Sequence, residues 1–466
     1  MTLPYSCGVR LSCIFVSRVL IFLFLTGIII KIAASGGYDM KKTDLLYQQY
    51  VNILKEELRP AMGCTEPVAL AYAAAKARQV LGTTPYLVEA RISGNIIKNV
   101  KSVTVPNTGG RIGIVAAICA GIVAGDADKE LQVISAITDE EREALAEYLK
   151  RAKVQVEAAD SELVFDIDLT LYADCGDVAR VRIVNNHTNI VLIEKNGEKL
   201  VDLPITDSSE EGLTDKSCLS IEKIVEFADS VDVEDIREVV ERQIKYNMAI
   251  AREGMHHRWG ANIGKVILRR QGNAIEKRAR AYAAAGSDAR MSGCDMPVII
   301  LSGSGNQGIT ASVPVAVYAQ ELHVSDEQLL RAVALSDLVT VHQKAGIGRL
   351  SAYCGAISAG CGAGAGIAYL QGHGVEAVSH ILVNAIAILS GTICDGAKAS
   401  CAAKIAAAVD AGILGYHMYL EDQQFCSGDG IVTRGADKTV RNIGILAREG
   451  MKETDKTILE IMLRED

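Results

Sequence analysis

Apolar residues recur with two different periods along this chain, and the change between them falls near residue 218. In the first part helical and alternating stretches are interleaved. YQQYVNILKEELRPAM and PVALAYAAAKARQVLG carry apolar positions at helical spacing, so two helices are expected, broken at Pro60. The second is entered through GCTEP, residues 63–67, with Pro67 in its first turn. YLVEARIS and SVTVPN read as strands, and IGIVAAICAGIVAG as a helix of small residues. In ITDEEREALAEYLKRA, Thr138 and Glu141 stand three residues apart, the signature of a capped helix start. ELVFDIDLTLYA alternates apolar and polar positions. VARVRIVNNH and NIVLIEKNGEKLVDL continue it as a β-meander with a turn at Asn196-Gly197.

Residues 206–218 are polar and mark a boundary. Beyond it SIEKIVEFADSV, VEDIREVVERQIKYNMAIARE, AIEKRARAYAAAGSDARM and DEQLLRAVALSDLVTVHQ all have helical periodicity. The run GAISAGCGAGAG, residues 355–366, lets helix backbones approach closely; the charged segments around it favour a buried core helix over a membrane span. The expected fold class is α+β. A mixed α/β substrate-contacting domain at 40–218 precedes a mostly helical catalytic domain at 219–466.

Composition changes this picture in three ways. A net charge of −9 argues against a nucleic-acid surface. Twelve cysteines scattered over 466 residues suit reduced thiols in a cytoplasmic protein better than a secreted disulfide scaffold. Residues 1–39 stand apart: Arg10 and Arg18 precede VLIFLFLTGIII, and Ala33, Ala34, Ser35 and Gly36 follow. Two readings stand, a leader or anchor and an extension ahead of a start at Met40. No membrane partner is expected for the body of the chain.

The candidate chemistry centres on cysteine. In GTICDGAKASCAAKIAAAVDAG, six residues separate Cys394 from Cys401, too many for the usual C-x(2–4)-C zinc spacing. Along a continuous helix the two would lie about 10 Å apart. Gly396 suggests a loop instead, with Ser400 capping a helix that starts near Ala402. Cys354, in GRLSAYCGAISAGCG, would complete a three-thiolate site that leaves one coordination position open; Cys361 is its rival. Gly303, Gly305 and Gly308 form a literal G-x-G-x-x-G. The early Pro314 and the lack of a second strand argue against a dinucleotide fold, although backbone N–H groups there could hold a carboxylate. Cys64, at a helix N-terminus, is expected to have a lowered thiol pKa and to act as a base, with a fourth cluster ligand or a buried thiol as alternatives. Ser93, Asn95, Lys98 and Asn99 of SGNIIKN are candidates for holding an amino acid's charged groups, against a capped turn. His187 is a secondary acid/base candidate.

RLSAYCG, GTICDGAKASC, SDARM with SGSGNQGI, GCTEP, and SGNIIKN with VTVPNTG occur together from about residue 45 to the C-terminus. In that combination the chain resembles the L-cysteine desulfidase family, related to the iron–sulfur L-serine dehydratase alpha chain. The resemblance implies a [4Fe–4S] cluster on Cys354, Cys394 and Cys401, with the substrate amino acid at the unligated iron and Cys64 as base. It gives Cys361 no role, and it has no counterpart for residues 1–39, which favours Met40 as the start. The implied activity is β-elimination of L-cysteine to pyruvate, ammonia and hydrogen sulfide. L-serine dehydration and a non-catalytic cluster or amino-acid-binding protein are the alternatives. A homo-oligomer acting on a small amino acid is expected.

Overall fold

The structure is a computed structural model that describes residues 40–161, 163–205, 213–348 and 351–464. The leader-like segment 1–39 lies outside them. The strong alternation in the first part builds a six-stranded mixed sheet. Its strands are β2 (Leu87–Ile92), β3 (Lys153–Ala158), β4 (Asp166–Tyr172), β5 (Val178–Val184), β6 (Ile190–Lys195) and β7 (Glu198–Asp202), in the order β3-β2-β4-β5-β6-β7. Only β2 and β3 run parallel. Ile167, Leu169 and Leu171 share a buried face with Ala179, Val181 and Ile183, as a period of two requires. Asp166 and Asp168 take bidentate bonds from Arg182 and Arg180 across the strands. The Asn196-Gly197 turn has positive φ at both residues, as expected.

Helix α2 (Thr65–Leu81) covers the apolar face and α4 (Ile114–Ala124) packs on α2; α3 (Gly94–Val100) is a short helix leaving β2. α5 (Asp139–Arg151) begins with the expected reciprocal Thr138–Glu141 cap. Two expectations are corrected. SVTVPN is not a strand and holds only the bridge Thr104 to Ile112. The break at Pro60 is itself a strand, β1 (Arg59–Met62), paired antiparallel with β8 (Pro297–Ile300). That pairing joins the two halves of the chain. Helix α1 (Leu45–Glu57) packs on the helical side too, with Tyr47 and Tyr50 against Phe227 at ring distances of 5.5 and 5.2 Å.

The second half is helical as expected: α6 (Ile221–Ser230), α7 (Arg237–His256), α8 (Ile263–Gln271), α9 (Ile275–Met291), α10 (Gly305–Leu322), α11 (Asp326–Ile347), α12 (Gly355–Leu370), α13 (Val375–Leu389), α14 (Cys401–Leu420), α15 (Ala436–Ile445) and α16 (Lys452–Leu463). The small-residue run is α12, buried between α11 and α14. A Cβ on Gly360 would lie 2.3 Å from the Ala408 carbonyl oxygen of α14, so the close crossing needs glycine. α10 follows the glycine loop directly and runs through Pro314, which was expected to interrupt it. Among the described residues β8 nevertheless pairs only with β1, so no parallel sheet of a dinucleotide fold surrounds this loop there. Among the described residues no helix is long and apolar enough to cross a membrane.

Candidate active site

Backbone pairing brings two of the distant cysteines together. Tyr353 and Ile393 form an antiparallel bridge; the Cys354 N–H donates to Thr392 O (3.2 Å) and the Cys394 N–H to Ala352 O (2.6 Å). Beyond Cys394 the chain turns at Gly396, where φ is +92° and any Cβ would sit 2.0 Å from Lys98 O. Only glycine fits there, and it docks the loop onto α3. The loop closes at Cys401, whose N–H donates to Lys398 O (3.0 Å) and which opens α14. Ser400 stands at the cap position as expected. Its backbone is already helical, however, and its side chain makes no capping bond.

Cys64, Cys354, Cys394 and Cys401 line one cavity of about 110 Å³. Cys64 and Cys354 are the N-cap residues of α2 and α12, Cys401 is the first residue of α14, and Ser304, which caps α10, lines the same space. Four helix N-termini therefore converge, and their unpaired N–H groups bias the cavity toward negative charge. Cys361 lies inside α12, fully buried and off this surface, so it is no rival to Cys354.

Burial opposes ionisation of the empty thiols. It pushes Cys64 up to about 12, with the Arg290 guanidinium pulling the other way. The direction is opposite to the lowered thiol pKa expected at the helix terminus, and burial is its largest cause. Burial likewise pushes Cys354 to about 12, with Cys394 and Cys401 adding to the rise, and raises Cys401. Cys401 in turn acts on Cys64, so the fourth sulfur is linked to the other three through Cys401.

The four candidates of SGNIIKN separate. The Ser93 hydroxyl donates to Val164 O (3.0 Å) and accepts from the Asp166 N–H, and it is not among the residues lining the cavity. Lys98 and Asn99 line the cavity, yet the Lys98 ammonium is paired with Asp455 of α16, and Asn99 Nδ2 donates to Glu66 Oε1 (3.3 Å). Asn95 also lines the cavity, and its Oδ1 is buried without a hydrogen-bond partner. His187 stands in a second chamber, packed edge-on against Phe165 at 4.8 Å; Asn95, Gly303 and Ser351 line both spaces. Arg290, Gln307, Tyr353 and Lys344 also line the thiol cavity and were not picked out from the sequence. Arg290 belongs to SDARM and Gln307 to SGSGNQGI, so their motifs were visible, while their convergence was not.

Among the described residues no three His, Cys, Asp or Glu side chains are drawn together tightly enough for a single metal ion. Thiols spread around one cavity suit a cluster better, because each iron of a cluster takes its own thiolate. The donor set is sulfur, from three separate backbone positions, with a fourth thiol and two lysines, Lys344 and Lys404, nearby. These residues fit an iron–sulfur group.

The serine dehydratase alpha chain family matches residues 128–460. A UPF0597 protein of Desulfitobacterium hafniense is 57% identical over 426 residues, which cover 91% of this chain and 99% of that protein. UPF0597 proteins of Treponema denticola and Lachnoclostridium phytofermentans are 43% and 46% identical, each over 90% of this chain and 98% and 100% of their own.

Proposed function

The chain belongs to the serine dehydratase alpha chain family, iron–sulfur-associated lyases, and from that premise we propose that it is an L-cysteine desulfidase. The reaction removes the Cα proton and breaks the Cβ–S bond, and the sulfur leaves with the bonding pair as sulfide. The resulting aminoacrylate tautomerises to an imine, which water hydrolyses to pyruvate and ammonia. The observation that carries this reading is the meeting of Cys354, Cys394 and Cys401 with Cys64 and Arg290 around one cavity.

Cys354, Cys394 and Cys401 would hold a [4Fe–4S] cluster, which supplies Lewis acidity toward the departing group. Cys64, Lys98, Asn99, Arg290 and Gln307 on its walls are buried, so charges on a bound amino acid would be felt strongly by the groups around it. Cys64 is the residue proposed to take the Cα proton at its Sγ; this requires the thiolate, which burial opposes and the Arg290 guanidinium favours. His187 lines the adjoining chamber, so this reading gives it no part in taking the Cα proton.

The family's own description favours a second reading, in which L-serine loses its hydroxyl at the same site. Anaerobically purified protein given each amino acid separately decides between them by the pyruvate and sulfide released. Pyruvate and sulfide from L-cysteine support the proposal. Pyruvate from L-serine alone rejects it in favour of the dehydratase. Binding without product from either leaves a sensor or cluster carrier.

A further inference from the structure

The thiol cavity contains polar groups that the protein itself leaves unsatisfied. Gln307, 5% exposed, lines it with Oε1 buried and unbonded, and its amide has no hydrogen bond among the described residues. Asn95 Oδ1 is in the same state on another wall. A buried acceptor without a donor costs roughly 1–3 kcal/mol, so two around one cavity call for a ligand that donates. The Gln307 amide is held from behind. A Cβ on Gly355 would lie 2.6 Å from Gln307 Nε2, so the start of α12 packs directly on the glutamine amide.

The complementary group is Arg290. It is 4% exposed and makes no ion pair with a carboxylate among the described residues. Its Nε donates to Gly63 O (3.0 Å) and its Nη1 to Asn306 Oδ1 (3.2 Å). A Cβ on Gly305 would lie 2.4 Å from Nε, so the glycine loop lies flat on the guanidinium. The cation is thereby fixed in orientation with donor capacity left over, and its charge lacks a counter-ion.

We propose that Asn95 and Gln307 accept hydrogen bonds from the α-ammonium of a free amino acid while Arg290 takes its carboxylate. This rests on the lyase reading for the identity of the cavity and goes further in naming what selects the substrate class. Two acceptors and one guanidinium match a zwitterion. A hydroxy acid offers no cationic donor, and a peptide has lost either the ammonium or the free carboxylate at the same carbon.

The test is titration calorimetry of the anaerobically purified full-length protein with two probes that cannot eliminate. L-alanine carries both charged groups, and L-lactate replaces the ammonium with a hydroxyl. The wild type should bind L-alanine about tenfold or more tightly than L-lactate, the size of one charge-assisted hydrogen bond. Gln307→Leu and Asn95→Ala should each weaken L-alanine by a similar factor and weaken L-lactate, whose hydroxyl is only a neutral donor, by less. Gln307→Glu, which keeps the acceptor oxygen and the shape, should retain L-alanine. Arg290→Gln should weaken both probes. Equal binding of the two probes to the wild type overturns the proposal without any variant. So does wild-type affinity for L-alanine in both Gln307→Leu and Asn95→Ala. The two readings fail separately. This binding pattern without pyruvate from any amino acid rejects the lyase alone, whereas turnover with unchanged KM in both variants rejects the recognition alone.

Discussion

Replacing Gly396 by alanine tests whether the loop carrying Cys394 and Cys401 is shaped by its contact with α3. Two costs apply. At φ +92° the backbone is left-handed, which disfavours an L side chain by about 1–2 kcal/mol. The new Cβ would also meet Lys98 O at 2.0 Å, Lys98 C at 2.8 Å and Lys98 Cγ at 3.1 Å. Relief requires the loop to retreat by about 1 Å or more, and overpacking of that kind typically costs about 1–3 kcal/mol. The expected total is about 2–5 kcal/mol. Gly372→Ala provides the control: its φ is +82°, yet nothing lies within 4 Å of its Cβ position, so only the backbone cost of about 1–2 kcal/mol should appear. Urea unfolding of both variants under anaerobic conditions measures the difference. Iron per chain and visible absorption report whether the two thiols still meet their partner. Gly396→Ala should lose stability beyond the control and lose iron, while Gly372→Ala keeps its iron. Equal stability and equal iron in the two variants would refute the reasoning.

Three further outcomes are expected. Cys394→Ala should lose iron and visible absorption, whereas Cys361→Ala, in the α12 core, should keep both; an unchanged spectrum in the first removes Cys394 from the site. Asp455→Asn leaves the buried Lys98 ammonium without its carboxylate. Breaking such a pair costs about 3–5 kcal/mol when both ends are buried, and the quarter exposure of Asp455 puts the effect at the low end or below. Adding Lys98→Met should restore most of the loss in urea unfolding, and a double variant no more stable than the single one would show that the charge is not the cause. Burial raises the Asp288 carboxyl to about 6, against N–H bonds from Ile263 (2.6 Å) and Ala261 (3.2 Å) that pull it down. Because its folded pKa exceeds the ordinary value, its contribution is fully present below about pH 4 and is lost as pH rises through about 6. The rise corresponds to at most about 3 kcal/mol, less what solvent screens. Stability of Asp288→Asn should therefore fall less between pH 4 and 7 than that of the wild type, and parallel curves would contradict the assignment.

Much of the fold was legible because it is set by neighbours in sequence. The alternation of Ile167, Leu169 and Leu171 dictates a half-buried strand whatever lies across from it. Thr138 with Glu141 caps a helix through atoms three residues apart, and Asn196-Gly197 turns a hairpin by its own backbone preference. The three cysteines and the loop at Gly396 could likewise be singled out in the sequence. Tertiary structure decided what each polar group was left to do. Ser93, Lys98 and Asn99 looked equivalent to Asn95, but Val164, Asp455 and Glu66 occupy them, and Asp455 is 357 residues away from Lys98. The strand at Pro60 exists because β8, far along the chain, pairs with it. The thiol of Cys64 rises rather than falls because desolvation depends on everything packed around it, whereas the helix dipole depends only on its own turn. Periodicity and capping act over three or four residues, so a linear reading captures them. Satisfaction and burial of a polar atom depend on the whole packed chain, and only the folded protein shows which donors and acceptors remain for a ligand.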